Sequence, residues 1–262
     1  MRILKRLTFL FLVAAILIAL FYQLYMRPRY VVPILMYHAV SSDKDDSLHV
    51  SPSNFSKQID FLRNSGYSVI SMNELVQGIR NGEPCPERTV AITFDDGFED
   101  NFLYAFPVLA KYDMPAAIFV ITGYVGKKEG YLNWDQVRLM LNNGIDIGAH
   151  TRNNEYLPSL QDPERLWDEI SGSKTVLEEE TGKDIMFFCY PIGGFNEEVK
   201  SMVKKAGYKA ACTTNRGTDR YNRDIYELNR VKITNSDCTK PLHFRAKISG
   251  YYNLFRGLKK SG

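Results

Sequence analysis

Two aspartates stand side by side where an apolar run ends, in VAITFDDGFED, residues 90–100. Adjacent carboxylates repel, and a buried pair ordinarily keeps one proton between them. A bound divalent cation relieves the repulsion and lets both ionise, so that one acid becomes a ligand and its neighbour a base. Alone, Asp-Asp-Gly is more often a turn. Three further strand-like runs end in groups with chemical potential. VVPILMYH ends at His38, IDIGAH ends at His150, and DIMFFCYP ends in Tyr190 and Pro191, with Gly193 two residues on. Only 4 histidines are present, and two of them finish such runs. A lone buried histidine is an ordinary core residue, but four reactive strand ends make a single pocket the economical reading. Asp96 and His150 are then candidate metal ligands. Asn154 lies four residues after His150, where one helical turn would bring both side chains to the same face.

The elements that would position these groups alternate. Strand-like runs at 31–38, 89–94, 115–121, 145–150, 184–191, 208–214 and 229–234, with a short one at 67–70, are separated by helix-like segments. The segment 51–66 has Ser51 as N-cap, Pro52 in the first turn, Phe55, Ile59 and Leu62 on one face, and Gly66 as the stop. Ser71 and Glu74 form a capping-box pattern. Further helices are expected over 99–113, interrupted at Pro107, and over 133–143, 162–182, 196–207 and 240–248. Such alternation predicts a mostly parallel α/β sheet, and active sites of such sheets collect at the C-terminal strand ends. Seven or eight strands suit a closed or nearly closed barrel. The competitor is an open doubly wound sheet, but no G-x-G-x-x-G follows the first strand.

The first thirty residues differ from the rest. Arg2, Lys5 and Arg6 precede an uncharged run from Leu7 to Met26, long enough to span a bilayer. No small-x-small cleavage site follows. The expectation is an uncleaved signal anchor within residues 1–29 and one soluble domain over 30–262, held outside the cytoplasm by a single pass through the cell membrane. A formal net charge of +3, with acids spread among the bases, gives no reason to expect a nucleic-acid partner. Of the cysteines, Cys189 and Cys212 each lie in a short apolar run, which leaves open a disulfide between neighbouring strands or two free buried thiols. Trp134, after a loop, is a candidate platform for a sugar ring, and Trp167 is expected in the core. His49 and His243 are expected to be structural and surface residues.

Together these motifs resemble the polysaccharide deacetylases (the NodB-homology domain, carbohydrate esterase family 4). TFDDG resembles the first motif of that family, GAHTRNN the second, and FCYPIGGFN the third in its F-A-Y-P-x-G form. ILMYHAV, VSPSNFSKQIDFL, YLNWDQV and GYKAACTTNRG resemble the branch that contains poly-N-acetylglucosamine deacetylases, and the likeness spans roughly residues 31–235. It implies a distorted (β/α) barrel of about seven parallel strands and a metal-dependent hydrolase. By position, Asp95 would be the general base, Asp96 and His150 ligands of a divalent ion, usually zinc, and His38 the general acid. The Tyr190 N–H would bind the oxyanion, with Pro191 and Gly193 beside the substrate. The implied reaction removes N-acetyl groups from an N-acetylglucosamine-containing cell-wall or extracellular polysaccharide and releases acetate.

Two positions depart from the family pattern. Asn154 stands where the second motif has its second histidine, and an amide oxygen suits zinc less well than imidazole. That leaves three readings: Asn154 ligates a weakly held or different ion, another group completes the shell, or the protein is a glycan-binding pseudoenzyme. An O-deacetylase of a glycan such as xylan is the alternative within the same chemistry. Cys189 replaces the third-motif arginine, so the group that orients the base is unassigned.

Overall fold

The computed structural model describes residues 2–43, 46–214 and 219–255. It opens with helix α1 (Arg2–Phe21), and the chain continues helically to Arg29. The segment Leu4–Arg29 is long and apolar enough to cross a membrane, and none of its apolar window is buried against the rest of the protein. After Tyr30 the chain enters the first strand, β1 (Ile34–Tyr37).

Among the described residues there are eight parallel strands: β1, β2 (Ser68–Val69), β3 (Thr89–Phe94), β4 (Ala116–Val120), β5 (Ile145–Ala149), β6 (Phe187–Cys189), β7 (Ala210–Cys212) and β8 (Val231–Lys232). Seven of them lie in the order β7-β6-β5-β4-β3-β1-β8, and β2 pairs with the start of β3. The segment ahead of β8 then runs beside β7: Thr213 N–H donates to the Leu228 carbonyl at 2.9 Å, and Arg230 N–H donates to that of Thr214. The two ends of the curled sheet are thus joined, which is the expected (β/α) barrel and not the open doubly wound sheet. Helices α2 (Pro52–Asn64), α3 (Met72–Asn81), α4 (Phe106–Lys111), α5 (Trp134–Asn142), α6 (Pro163–Trp167), α7 (Ser173–Thr181) and α8 (Glu197–Lys205) connect the strands, and α9 (Ser236–Thr239), α10 (Pro241–Lys247) and α11 (Tyr252–Phe255) follow β8.

Local sequence explains most of the boundaries. The Ser51 hydroxyl accepts from Asn54 N–H at 3.3 Å and starts α2. Ser71 and Glu74 form both bonds of a capping box on α3, and Asn133 and Gln136 do the same on α5. Two expectations are corrected. Pro107 does not break the segment: the chain is helical from 99 to 111, and the proline sits just after a widened turn, Asn101–Ala105, that runs directly into α4. The long segment 162–182 is helical throughout but widens at Asp168–Gly172, between α6 and α7.

The longer strands are mostly apolar because both faces are covered. Alternation separates two sets of side chains. Leu35, Tyr37, Ile92, Phe94, Ile118, Val120, Phe188 and Tyr190 belong to a core shared with the helices. Ile34, Ala91, Ala117, Phe119, Phe187, Cys189, Ala210 and Cys212 form the other cluster, the barrel interior. The interior mixes small and large residues: a Cβ on Gly148 would lie 2.5 Å from the Phe119 ring, so only glycine leaves room for that phenylalanine. Cys189 and Cys212 face each other in register on β6 and β7, yet both are free thiols. Trp167 is only half-buried, with the Lys205 ammonium 5.2 Å over its ring, and is not a core residue as expected.

Candidate active site

The period of two along each strand decides which end residues meet. Ile34 and Met36 predict an inward His38, Ala91 and Thr93 an inward Asp95, and Gly148 an inward His150. The structure agrees. His38 Nε2 lies 3.9 Å from Asp95 Oδ2, and His150 Nε2 lies 3.5 Å from Asp96 Oδ1. Groups 38, 95, 96 and 150, far apart in sequence, thus share one pocket at the C-terminal pole of the barrel.

Asp95 is 4% exposed and holds a two-pronged ion pair. Arg230 Nη1 and Nη2 each lie 2.6 Å from one of its carboxylate oxygens. The guanidinium is itself 1% exposed. It also reaches Thr93 Oγ1 at 3.1 Å, the Thr213 carbonyl at 2.8 Å and Cys189 Sγ at 3.0 Å, and lies 5.6 Å over the Phe119 ring. Burial alone would push the Asp95 carboxyl up, but the charge and hydrogen bonds of Arg230 override it and hold the group well below the usual carboxylate range. Sequence reading placed Arg230 in the last strand and gave it no role. The available signal was an arginine at the start of the last strand-like run, in a chain whose third motif lacks its arginine.

Asp96 follows with φ +72° and Gly97 with φ +75°, and a Cβ at Gly97 would press within 2.9 Å of Val120. With this left-handed turn the two neighbouring carboxylates meet different partners, Arg230 for Asp95 and His150 for Asp96. His150 Nδ1 lies 2.8 Å from the Cys189 carbonyl. That bond fixes Nδ1 as the donor and leaves the Nε2 lone pair facing Asp96, the tautomer a metal ligand requires. For His38, burial lowers the imidazole pKa against the opposing pull of Asp95 and Asp96. The buried Asn101 amide donates to the His38 carbonyl at 2.8 Å and fixes that strand end.

The loop after β5 is built without a helix. Thr151 has φ +64° and Asn154 φ +61°. The Arg152 and Asn153 N–H groups both donate to Glu169 Oε2 at 2.9 Å, and the Asn153 amide donates to Oε1 at 2.5 Å. Glu169 is 2% exposed, so a buried carboxylate from the widened helical turn clamps this loop. The helical-turn argument that paired Asn154 with His150 therefore fails. Among the described residues no contact joins the Asn154 amide to Asp96 or His150; its backbone N–H donates to Thr151 Oγ1 at 3.0 Å.

A model of the polysaccharide deacetylase family matches residues 82–211. The Bacillus subtilis protein YxkH, assigned by name to the polysaccharide deacetylases, is 34% identical over 203 residues, 78% of this chain and 71% of that protein. The chain belongs to the polysaccharide deacetylase family. A Staphylococcus aureus poly-β-1,6-N-acetyl-D-glucosamine N-deacetylase is 27% identical over 212 residues, covering 76% of this chain and 72% of that one. Among solved structures, the Streptococcus pyogenes deacetylase PplD in complex with acetate superposes with a TM-score of 0.74 at 29% identity, over 81% of this chain and 96% of that one. IcaB from Ammonifex degensii gives 0.71 at 27% identity, over 82% and 97%.

Which donors of this deacetylase fold suit a cation can be tested on the chemistry of the set. Asp95, His150 and Cys189 place ligand atoms within 4.8 Å of one another. Asp95 is already neutralised by Arg230, whose guanidinium also touches Cys189 Sγ, and burial raises the Cys189 thiol well above its ordinary value. A dication there would need a thiolate beside a fixed positive charge. Asp96 with His150 fits better: an acid carrying no cationic partner, an imidazole nitrogen with its lone pair presented, and part of the Asp96 side chain open to solvent.

Tyr190 requires a correction. Its N–H donates to the Cys212 carbonyl at 3.0 Å, as part of the β6–β7 ladder, and so does not reach an oxyanion. Its side chain has outward parity, stacks on Phe195 and donates to the Tyr226 carbonyl at 3.0 Å. Pro191 and Gly193 follow at the rim, and Gly193 packs on Thr214, where a Cβ would lie 2.5 Å from its hydroxyl. Trp134 is half-buried at the start of α5 against the core and Gly126. Closer to the acids is a cluster of half-exposed rings: Phe98 and Tyr131 at 5.0 Å, Tyr131 and Tyr124 at 4.9 Å. Tyr131 is near enough to Asp96 for that charge to join burial in raising its phenol pKa.

Proposed function

We propose that this deacetylase hydrolyses N-acetyl groups of an N-acetylglucosamine-containing polysaccharide outside the cytoplasm, anchored by α1. The observation that carries the reading is a carboxylate kept ionised by Arg230, with the His38 imidazole 3.9 Å away, beside a second acid that faces His150 at 3.5 Å. The names of the similar proteins support the polymer: one acts on poly-β-1,6-N-acetyl-D-glucosamine and another was solved with acetate.

Asp96 and His150 would hold a divalent ion, zinc by resemblance. When bound, it supplies Lewis-acid polarisation of the acetyl carbonyl and acidifies water. Asp95 accepts a proton from the attacking water, while Arg230 fixes its direction and its charge. His38 acts from its imidazolium form, which the neighbouring Asp95 and Asp96 favour against burial, and gives that proton to the departing glucosaminyl nitrogen as the C–N bond breaks, returning to neutral imidazole. With Tyr190 committed to the ladder, we assign the oxyanion contact to the N–H of Ile192, the next residue able to donate. Ile192 is β-branched yet held at φ +56°, and it is 62% exposed at the rim. The Phe98, Tyr124 and Tyr131 rings give a sugar a surface to lie on, alongside the Trp134 expected earlier.

The test is acetate and free-amine release by the full chain from poly-N-acetylglucosamine, chitin oligomers, peptidoglycan and acetylated xylan, after chelation and after zinc is restored. Zinc-dependent amine release is expected. Acetate from xylan without amine from the others would make it an O-deacetylase. Glycan binding with no release under any cation would make it a binding protein.

A further inference from the structure

The helical stalk that follows α1 is fastened to the barrel at the pole opposite the catalytic residues. Only Tyr30–Pro33 separate the stalk from β1, and these residues are tied down. The Tyr30 hydroxyl accepts from the Thr89 N–H and donates to the Thr89 carbonyl, both at 3.2 Å. Val31 N–H donates to the Gly250 carbonyl at 2.9 Å. Gly250 has φ +81°, and a Cβ there would sit 2.1 Å from the Tyr30 ring, so that joint is closed. Eight residues earlier, Tyr22 donates to the Glu87 carboxylate, and Tyr251 donates to the same oxygen at 2.8 Å. Thr89 begins β3 and Glu87 lies two residues ahead of it; the far end of that strand leads into Asp95. Six residue steps at about 3.3 Å place the acid about 20 Å further from the anchor than Thr89.

Beside the acids Glu83 and Glu87, the anchored pole carries several arginines. Arg88 and Arg245 line a cleft there with Phe61 and Tyr67. Arg63 and Arg80 are exposed at the nearby helix ends, and Arg27 on the stalk itself. An anionic headgroup layer is the surface that complements exposed arginines around a spanning helix.

We propose that the anchored pole lies on an anionic bilayer surface and that the stalk holds the catalytic pole facing away from it. The enzyme then acts on polymer strands in the space beyond the membrane and not on sugars linked to lipid headgroups. This rests on α1 spanning a bilayer and on the deacetylase reading above, and the experiment separates all three.

Cys85→Ser and Cys238→Ser leave only buried thiols, and a fluorophore is then placed through Glu83→Cys at the anchored pole or Leu48→Cys beside His49 at the catalytic pole. The full chain is reconstituted into phosphatidylglycerol–phosphatidylcholine vesicles carrying a headgroup-linked acceptor. Energy transfer several-fold stronger from position 83 than from 48 is expected, and Glu87→Ala combined with Tyr22→Phe should narrow the difference. Equal transfer at both positions, or stronger transfer from 48, would overturn the orientation. Failure of the vesicles to carry the protein on flotation would overturn it at its base, by removing the anchor. Acetate release on the same vesicles reports the chemistry independently.

Discussion

Asp95 and Arg230 are one unit, and each explains the other. A buried guanidinium beside a buried carboxylate is tolerated only when both are satisfied, and removing one partner of such a pair costs about 3–5 kcal/mol. Asp95→Asn is therefore expected to lose turnover and also to lower the melting temperature by several degrees, because Arg230 keeps its charge without a counter-charge. A variant that melts like the parent would mean that the pair is not formed. Arg230→Lys keeps the charge but loses the two-pronged geometry. It should lower kcat at least tenfold with little change in KM, since Arg230 acts through Asp95 and not on the substrate. The acids and histidines were legible from the sequence because each terminates an apolar run. Arg230 was not, because its partner lies 135 positions earlier and it sits just ahead of a strand only two residues long. The Tyr190 assignment failed for a similar reason: a motif names a residue, but the ladder decides whether its N–H is already spent.

At the level of elements, the loop after β5 shows how local chemistry outran pattern reading. The spacing from His150 to Asn154 suggested a helical turn. A buried glutamate from a different element instead captures the loop amides, and the left-handed residues Thr151 and Asn154 flank the clamp. Glu169→Gln would turn an amide donor toward those N–H groups. Zinc affinity, measured by competition with a chromophoric chelator, is expected to fall about 10–100-fold, as for other groups that orient ligand-bearing segments. Unchanged affinity would mean that the loop does not position His150. On β5 itself, Asp146 is mostly buried with one carboxylate oxygen unpartnered, and burial raises its pKa from 3.8 to about 6. The folded state thus holds this proton more tightly than the unfolded chain, so the group favours folding below about pH 4 and loses that contribution as pH rises through about 6. Asp146→Asn mimics the neutral form. It should raise the melting temperature at pH 7–8, with the gain disappearing below about pH 4; a gain that is flat across pH would contradict the assignment.

The whole molecule follows from strands buried on both faces, alternating with capped helices, and that much was readable in the sequence. Seven of the eight expected strand positions became a single ordered sheet path, and the barrel interior emerged from the small residues Ala91, Ala117, Gly148 and Ala210 that make room for Phe119 and Phe187. What closes the barrel was not readable: residues 225–230 pair with β7 outside any long apolar run, and that closure is what carries Arg230 to Asp95. Fold, closure and site therefore stand or fall on one chemical act. The most direct measurement is acetate and free amine released from an N-acetylglucosamine oligomer by the full chain with zinc supplied, beside Asp95→Asn shown to melt cooperatively. Release by the parent in equal amounts of acid and amine, reduced about 10²–10⁴-fold in the variant, is the predicted result. Equal rates from the two proteins, or no release from the parent, would contradict the account.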